Sequence, residues 1–345
     1  KRQRATRCKS GWDRTTPTNG RTSAAKAPHG RPTHGSGPWH PGSPRTRGAL
    51  FRSSQNRKAW DAIASAGSGK EIATGPKADP LPVPTRHPMS DHLPTATASP
   101  RLEIDDDRVG WIVFDDPDRS LNVFTEHVVD GLSSVLDQVG GMAGQGRLRA
   151  VVMWSGKPDS FFAGADVSAI AAVEDPEEGA AASRRGQEVF AKVSGIAVPT
   201  IAAVHGVCVG GGLELALSCD FRVVSDHPKT RMGLPEVLLG ILPAWGGTTR
   251  LPAVVGLQKA LDMILTGKNL DARAALRARL ADQVLPWALF REKVGDFARA
   301  RAEGQPLSRP KPGIRDRVLD GTGPGRRLVL HQARKQVKRR TRGHY

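Results

Sequence analysis

Two glutamates, Glu214 and Glu236, stand in settings that a surface charge does not need. Glu214 follows three glycines in Gly210-Gly211-Gly212-Leu213-Glu214-Leu215-Ala216-Leu217. Glu236 sits in Gly233-Leu234-Pro235-Glu236-Val237. A carboxylate in an apolar run is costly to bury without a partner or a task. Two of them, each beside a glycine-containing turn, suit a paired acid–base site, in which one carboxyl takes a proton and the other gives one.

Three segments could deliver such chemistry. In Val204-His205-Gly206-Val207-Cys208-Val209-Gly210-Gly211-Gly212 a strand runs into glycines and then into a helix. Unpaired N–H groups at a helix start favour developing negative charge, and glycine lets a ligand approach the backbone. The segment is not a Walker loop, since no Gly-Lys-Ser/Thr follows, nor a dinucleotide fingerprint. Phe161-Phe162-Ala163-Gly164-Ala165-Asp166-Val167 is a tight turn carrying one acid, and Asp166 also suits a helix N-cap. The third segment runs from Gly233 to Pro252. Pro235 places Glu236 in the first turn of a helix, where a carboxylate also stabilises the helix end. Trp245 fits an acyl pocket or the core equally well. His205 reads as a packed strand-end residue and His127 as an exposed one.

Strands and helices must alternate to hold these segments. Val109–Phe114, Ala150–Trp154, Pro199–Val204 and Phe221–Val224 read as strands, the apolar runs being of parallel, doubly covered type. Thr125 caps a helix to Val139, and Pro176–Val193, Leu257–Leu265 and Ala272–Leu280 read as helices. The alternation predicts an α/β fold with βαβ crossovers.

The net charge of +17 is unevenly spread. Residues 1–88 carry 17 Lys+Arg against 4 Asp+Glu, residues 89–286 carry 18 against 25, and residues 287–345 carry 16 against 5. The patterned middle is acidic and both ends are basic, which argues for solvated arms rather than a specific nucleic-acid reader. Residues 1–98 read as a disordered, basic Pro/Gly/Arg-rich extension, with Met89 as the natural start. Cys8, Cys208 and Cys219 have no metal-ligand spacing, so no metal is expected, and the last two read as reduced core residues. No apolar run is long enough for a transmembrane segment. A reducing, cytoplasmic compartment is expected ahead of a mitochondrial matrix.

In this combination and order the three segments resemble the crotonase (enoyl-CoA hydratase/isomerase) superfamily, from about Val109 to Pro286. The resemblance implies a ClpP-like spiral of ββα units with a C-terminal helical region, placed at residues 99–290. It implies an oxyanion hole made by the backbone N–H groups of Ala165 and Gly211, facing the carbonyl of a coenzyme A thioester. It places Ala163, Gly164, Asp166, Val167, Gly210, Pro235 and Trp245 against that substrate. Glu214 would activate the water that attacks the β-carbon, and Glu236 would protonate the α-carbon. The presence of Glu214 favours a hydratase over a pure isomerase. Residues 226–236 and 261–268 are similar to the N-terminal hydratase domain of multifunctional fatty-acid oxidation α subunits. Residues 291–345 resemble the basic helical linker toward their 3-hydroxyacyl-CoA dehydrogenase domain, whose absence here implies no bound NAD or other cofactor. The expected partners are acyl-CoA and either further copies of the chain or a thiolase β subunit. A truncated, weakly catalytic subunit that binds acyl-CoA or thiolase is the alternative. Two departures from the family pattern stand out. Ala244 and Arg279 occupy positions where the family has glycine, and Arg279 would be strained at φ > 0.

Overall fold

The computed structural model describes residues 100–340. The extension expected at 1–98 and the Met89 start therefore lie outside the described residues. β1 (Arg101–Ile104) and β2 (Val109–Phe114) form an antiparallel hairpin. Its turn is held by Asp105, whose Oδ1 accepts the N–H groups of Asp107 and Val109. There follow α1 (Glu126–Gly144), β3 (Ala150–Ser155), β4 (Ser160–Phe162), α2 (Val167–Ala172) and α3 (Pro176–Ser194). Next come β5 (Thr200–Val204), β6 (Val207–Val209), α4 (Gly211–Ser218), β7 (Phe221–Ser225) and β8 (Arg231–Gly233). A 3₁₀ turn at Glu236–Leu239 leads to α5 (Gly247–Val255), α6 (Leu257–Thr266), β9 (Asn269–Leu270) and α7 (Ala272–Arg277). β10 (Gln283–Leu285), α8 (Phe290–Ala302), α9 (Ile314–Gly321) and α10 (Gly323–Arg340) complete the described chain.

The strands form two sheets. The larger has the order β1-β2-β3-β5-β7-β10, parallel except at the β1 edge. The smaller has the order β4-β6-β8-β9, parallel except at β9. Each ββα unit thus sends its first strand (β3, β5, β7) to the large sheet and its second (β4, β6, β8) to the small one. Repeating that step turns the chain into a spiral.

Strand alternation divides the core between the two faces of the large sheet. Ile112, Phe114, Val151, Met153, Ala202 and Val204 join the cluster beneath α1, α3 and α4. Trp111, Val113, Val152, Trp154, Ile201 and Val223 meet Phe290, Val294, Phe297 and Ala298 of α8 on the other face. Both faces are covered, which is why these strands read as unbroken apolar runs. Thr125 caps α1 by accepting the N–H of Val128, and Asp175 caps α3 by accepting that of Glu177.

A buried ion pair closes the β7–β10 side. Arg222 Nη2 lies 3.3 Å from Asp282 Oδ2, which also accepts the Arg222 backbone N–H at 2.7 Å. The guanidinium donates further to the carbonyls of Leu280 and Cys219. Cys208 and Cys219 are free and buried. The helix expected through Leu280 ends at Arg277, and Arg279 adopts φ +68°. The side chain anchors this strained position: Nη2 donates to Val255 O and lies 3.5 Å from Asp316 Oδ2 on α9.

Candidate active site

The three motif segments follow β4, β6 and β8. Those strands are parallel neighbours, so their carboxyl ends lie side by side and carry the three turns with them. A parallel bridge joins Phe124 to Ala165. The Phe124 N–H donates to Gly164 O at 2.9 Å, and the Asp166 N–H donates to Phe124 O at 3.1 Å. Bridge geometry therefore turns the Ala165 N–H away from Phe124. The Gly211 N–H belongs to the first turn of α4, where backbone donors lack intrahelical partners.

Backbone conformation explains two glycines where the segments meet. Gly164 has φ +101°, and a Cβ there would stand 3.4 Å from Val209 O. Gly210 has φ +56°, and a Cβ there would stand 3.6 Å from Gly164 Cα and 3.4 Å from Glu236 Oε1. Gly210 thus sits between the Phe161–Val167 turn and Glu236 of the third segment. The left-handed backbone at both positions is what favours glycine there.

The turns enclose a cavity of about 510 Å³. Ala163, Gly164, Ala165, Val167, Gly210, Gly211, Glu214, Pro235, Glu236 and Trp245 all line it. Among the expected site residues Asp166 does not: its carboxylate caps α2 through the Ser168 N–H and pairs with Arg119 Nη2 at 3.1 Å. Ile170, Val173, Leu239, Ile241 and Leu242 add an aliphatic wall that the sequence reading did not pick out. Leu242, 64 % exposed, leaves that wall open to solvent. His205 is buried away from the cavity lining, with Nε2 2.7 Å from Lys157 O and its ring among Trp154, Trp287 and Phe290.

The two carboxyls are 2 % and 8 % exposed but differ in their partners. Glu214 Oε1 accepts two backbone N–H bonds, from Trp245 and Gly247, each at 2.8 Å. Burial raises its pKa above the ordinary value, and the two N–H donors pull against that rise. Glu236 Oε2 is buried with no hydrogen-bond partner. Burial pushes its carboxyl up to about 8, and the charge of Glu214 adds to the rise. Donors stabilise an ionised carboxylate, whereas a bare apolar site stabilises the neutral acid. The arrangement therefore favours placing a shared proton on Glu236 rather than on Glu214. The helix expected to start at Glu236 is a four-residue 3₁₀ turn, which Gly240 ends in the left-handed region at φ +77°.

Residues 105–309 match the enoyl-CoA hydratase/isomerase family, and the chain belongs to that family. Over 244 residues it is 40 % identical to the fatty acid oxidation complex subunit alpha of Vibrio vulnificus, covering 71 % of this chain and 34 % of that protein. Over 240 residues it is 41 % identical to the subunit of the same name from Shewanella loihica, covering 70 % and 33 %. The chain thus spans about a third of the length of these curated relatives. Among solved structures it is similar to an enoyl-CoA hydratase of Geobacillus kaustophilus, at 31 % identity and a TM-score of 0.55 over 60 % of this chain and 76 % of that one. An enoyl-CoA hydratase of Bacillus anthracis is similar at 28 % identity and a TM-score of 0.53, over 70 % and 90 %. The chain is therefore a crotonase-fold enzyme domain of lyase or isomerase type. No helix among the described residues is long and apolar enough to cross a membrane.

Proposed function

We propose that this chain hydrates trans-2-enoyl-CoA esters to 3-hydroxyacyl-CoA in fatty-acid β-oxidation. The observation that carries the reading is the asymmetry of the two carboxyls: Glu214 Oε1 is held by the N–H groups of two other residues, while Glu236 Oε2 is buried without a hydrogen-bond partner. In this reading Glu214 removes a proton from a water whose oxygen bonds to the β-carbon. The electron pair of the double bond moves toward the thioester, and its carbonyl oxygen takes up negative charge. The Ala165 and Gly211 N–H groups are the donors for that charge, a contribution of about 3–4 kcal/mol for one such donor elsewhere. Glu236 then gives its proton to the α-carbon. Afterwards Glu214 holds the water's proton and Glu236 is ionised, so one proton must pass back between them. A Δ3-to-Δ2 double-bond shift would use Glu236 alone, first as base and then as acid.

The test follows the loss of enoyl-thioester absorbance for a chain-length series, with Glu214→Gln and Glu236→Gln beside the wild type. Turnover that both substitutions abolish is expected. A folded wild type without turnover would sink the reading. A second reading is motivated by the relatives' name as complex subunits. In it the chain is a weakly catalytic subunit that binds acyl-CoA or a thiolase. Calorimetric acyl-CoA binding without turnover would favour it. Further copies of the chain, and a cytoplasmic setting, remain part of the first reading.

A further inference from the structure

Glu214 owes its two hydrogen bonds to a loop, not to its own helix. The loop runs from Pro243 to Gly247, and Gly246 at φ +114° lets the N–H groups of Trp245 and Gly247 converge on one oxygen. Two adjacent residues of α3 grip this loop. Gln187 Nε2 donates to Ala244 O at 2.7 Å, across 57 positions of sequence. Gly186 leaves a notch for the Trp245 ring: a Cβ there would stand 2.3 Å from ring atoms Cδ1 and Nε1. Phe124 and Phe190 hold the same ring edge-on, at 5.3 and 5.4 Å between centroids. Arg250 Nη1 donates to Trp245 O from the following helix.

We propose that Gly186 and Gln187 are positioning residues for Glu214, fixing the Ala244–Gly247 loop so that its N–H groups hold the carboxylate in place. Neither residue touches the reacting atoms. The catalytic consequence rests on the hydratase reading above, but the positioning itself does not. Loosening the loop removes donors that favour the ionised form, so Glu214 binds its proton more tightly.

The experiment uses the full chain with ¹³C-labelled glutamate carboxyls, Glu214 being assigned by the signal missing in Glu214→Gln. Gln187→Met removes the donor at similar length, Gln187→Lys keeps one, and Gly186→Ala crowds the ring. Gln187→Met and Gly186→Ala should raise the Glu214 titration midpoint by about one pH unit, and Gln187→Lys should restore it. In turnover, Gln187→Met should lower kcat about tenfold at unchanged KM, shift the acidic limb of the pH profile upward, and add little in a Glu214→Gln background. An unmoved midpoint in folded Gln187→Met protein would overturn the proposal, as would a kcat loss fully additive with Glu214→Gln. A shifted midpoint in a chain without hydratase turnover would keep the positioning and remove only the reading it was built on. Should Gly186→Ala fail to fold, the Gln187 pair decides alone.

Discussion

Replacing Glu236 by Gln should change how stability depends on pH, in a way that reports where the proton sits. The native carboxyl titrates at about 8 against an ordinary value of 4.5. Between these values the native state holds a proton that the unfolded chain has released. Stability then falls as pH rises, with a slope of about 1.4 kcal/mol per pH unit for one proton. The contribution is fully present below the unfolded value and is lost through the folded one. Over the roughly 3.5 units between them the loss reaches a ceiling of about 5 kcal/mol. Burial at 8 % exposure leaves little solvent to screen it. Glu236→Gln keeps the shape but cannot ionise, so its stability lacks this slope. Urea unfolding of both proteins at steps from about pH 5 to about pH 9 gives the difference curve. It should fall steadily for the wild type and level off above about pH 8. Parallel curves would refute the reasoning. So would a slope that vanishes in Glu214→Gln but persists in Glu236→Gln, since that would place the proton on the other carboxyl.

Three further outcomes are expected. In turnover of enoyl-CoA, kcat/KM should fall above about pH 8 as Glu236 loses the proton it must donate, which a stopped-flow or steady-state pH series reads directly. Gly212→Ala would set a Cβ 2.5 Å from Phe162 Cβ and 2.7 Å from its carbonyl oxygen, so it should cost about 1–3 kcal/mol in denaturant unfolding and displace α4 with Glu214. Asp282→Ala leaves Arg222 as an uncompensated buried charge, and should cost about 3–5 kcal/mol while leaving kcat of the folded fraction unchanged.

The sequence made some of this legible and hid the rest for identifiable reasons. The four inner strands of the large sheet, β2, β3, β5 and β7, were readable because both faces are covered, which forces unbroken apolar runs such as Ala150–Trp154. The small-sheet strands were not, because β4, β6 and β8 have three residues each, too few for any periodicity to show. Yet those strands align the three motifs, so the site's residues were visible before the reason for their meeting was. Asp166 showed two faces in the sequence, and the structure uses its carboxylate for a cap and an ion pair. The strain foreseen at Arg279 is present, and the contacts with Val255 and Asp316 that accompany it span distances no local pattern encodes. Gln187 was invisible for the same reason: it is an ordinary exposed glutamine until the loop folds against it.

The short parallel strands also bear on how the molecule folds. Ser160 pairs with Val207 and Val207 with Arg231, separations of 207 − 160 = 47 and 231 − 207 = 24 positions, so the small sheet closes long loops for few hydrogen bonds each. Contacts so distant in sequence are entropically costly to form and give little return until most of the chain is in place. An intermediate holding the long apolar strands and their covering helices would therefore carry every reactive side chain and still have no site. Regain of activity during refolding should lag behind regain of helical signal, marking the closure of the smaller sheet as the step that makes the domain an enzyme.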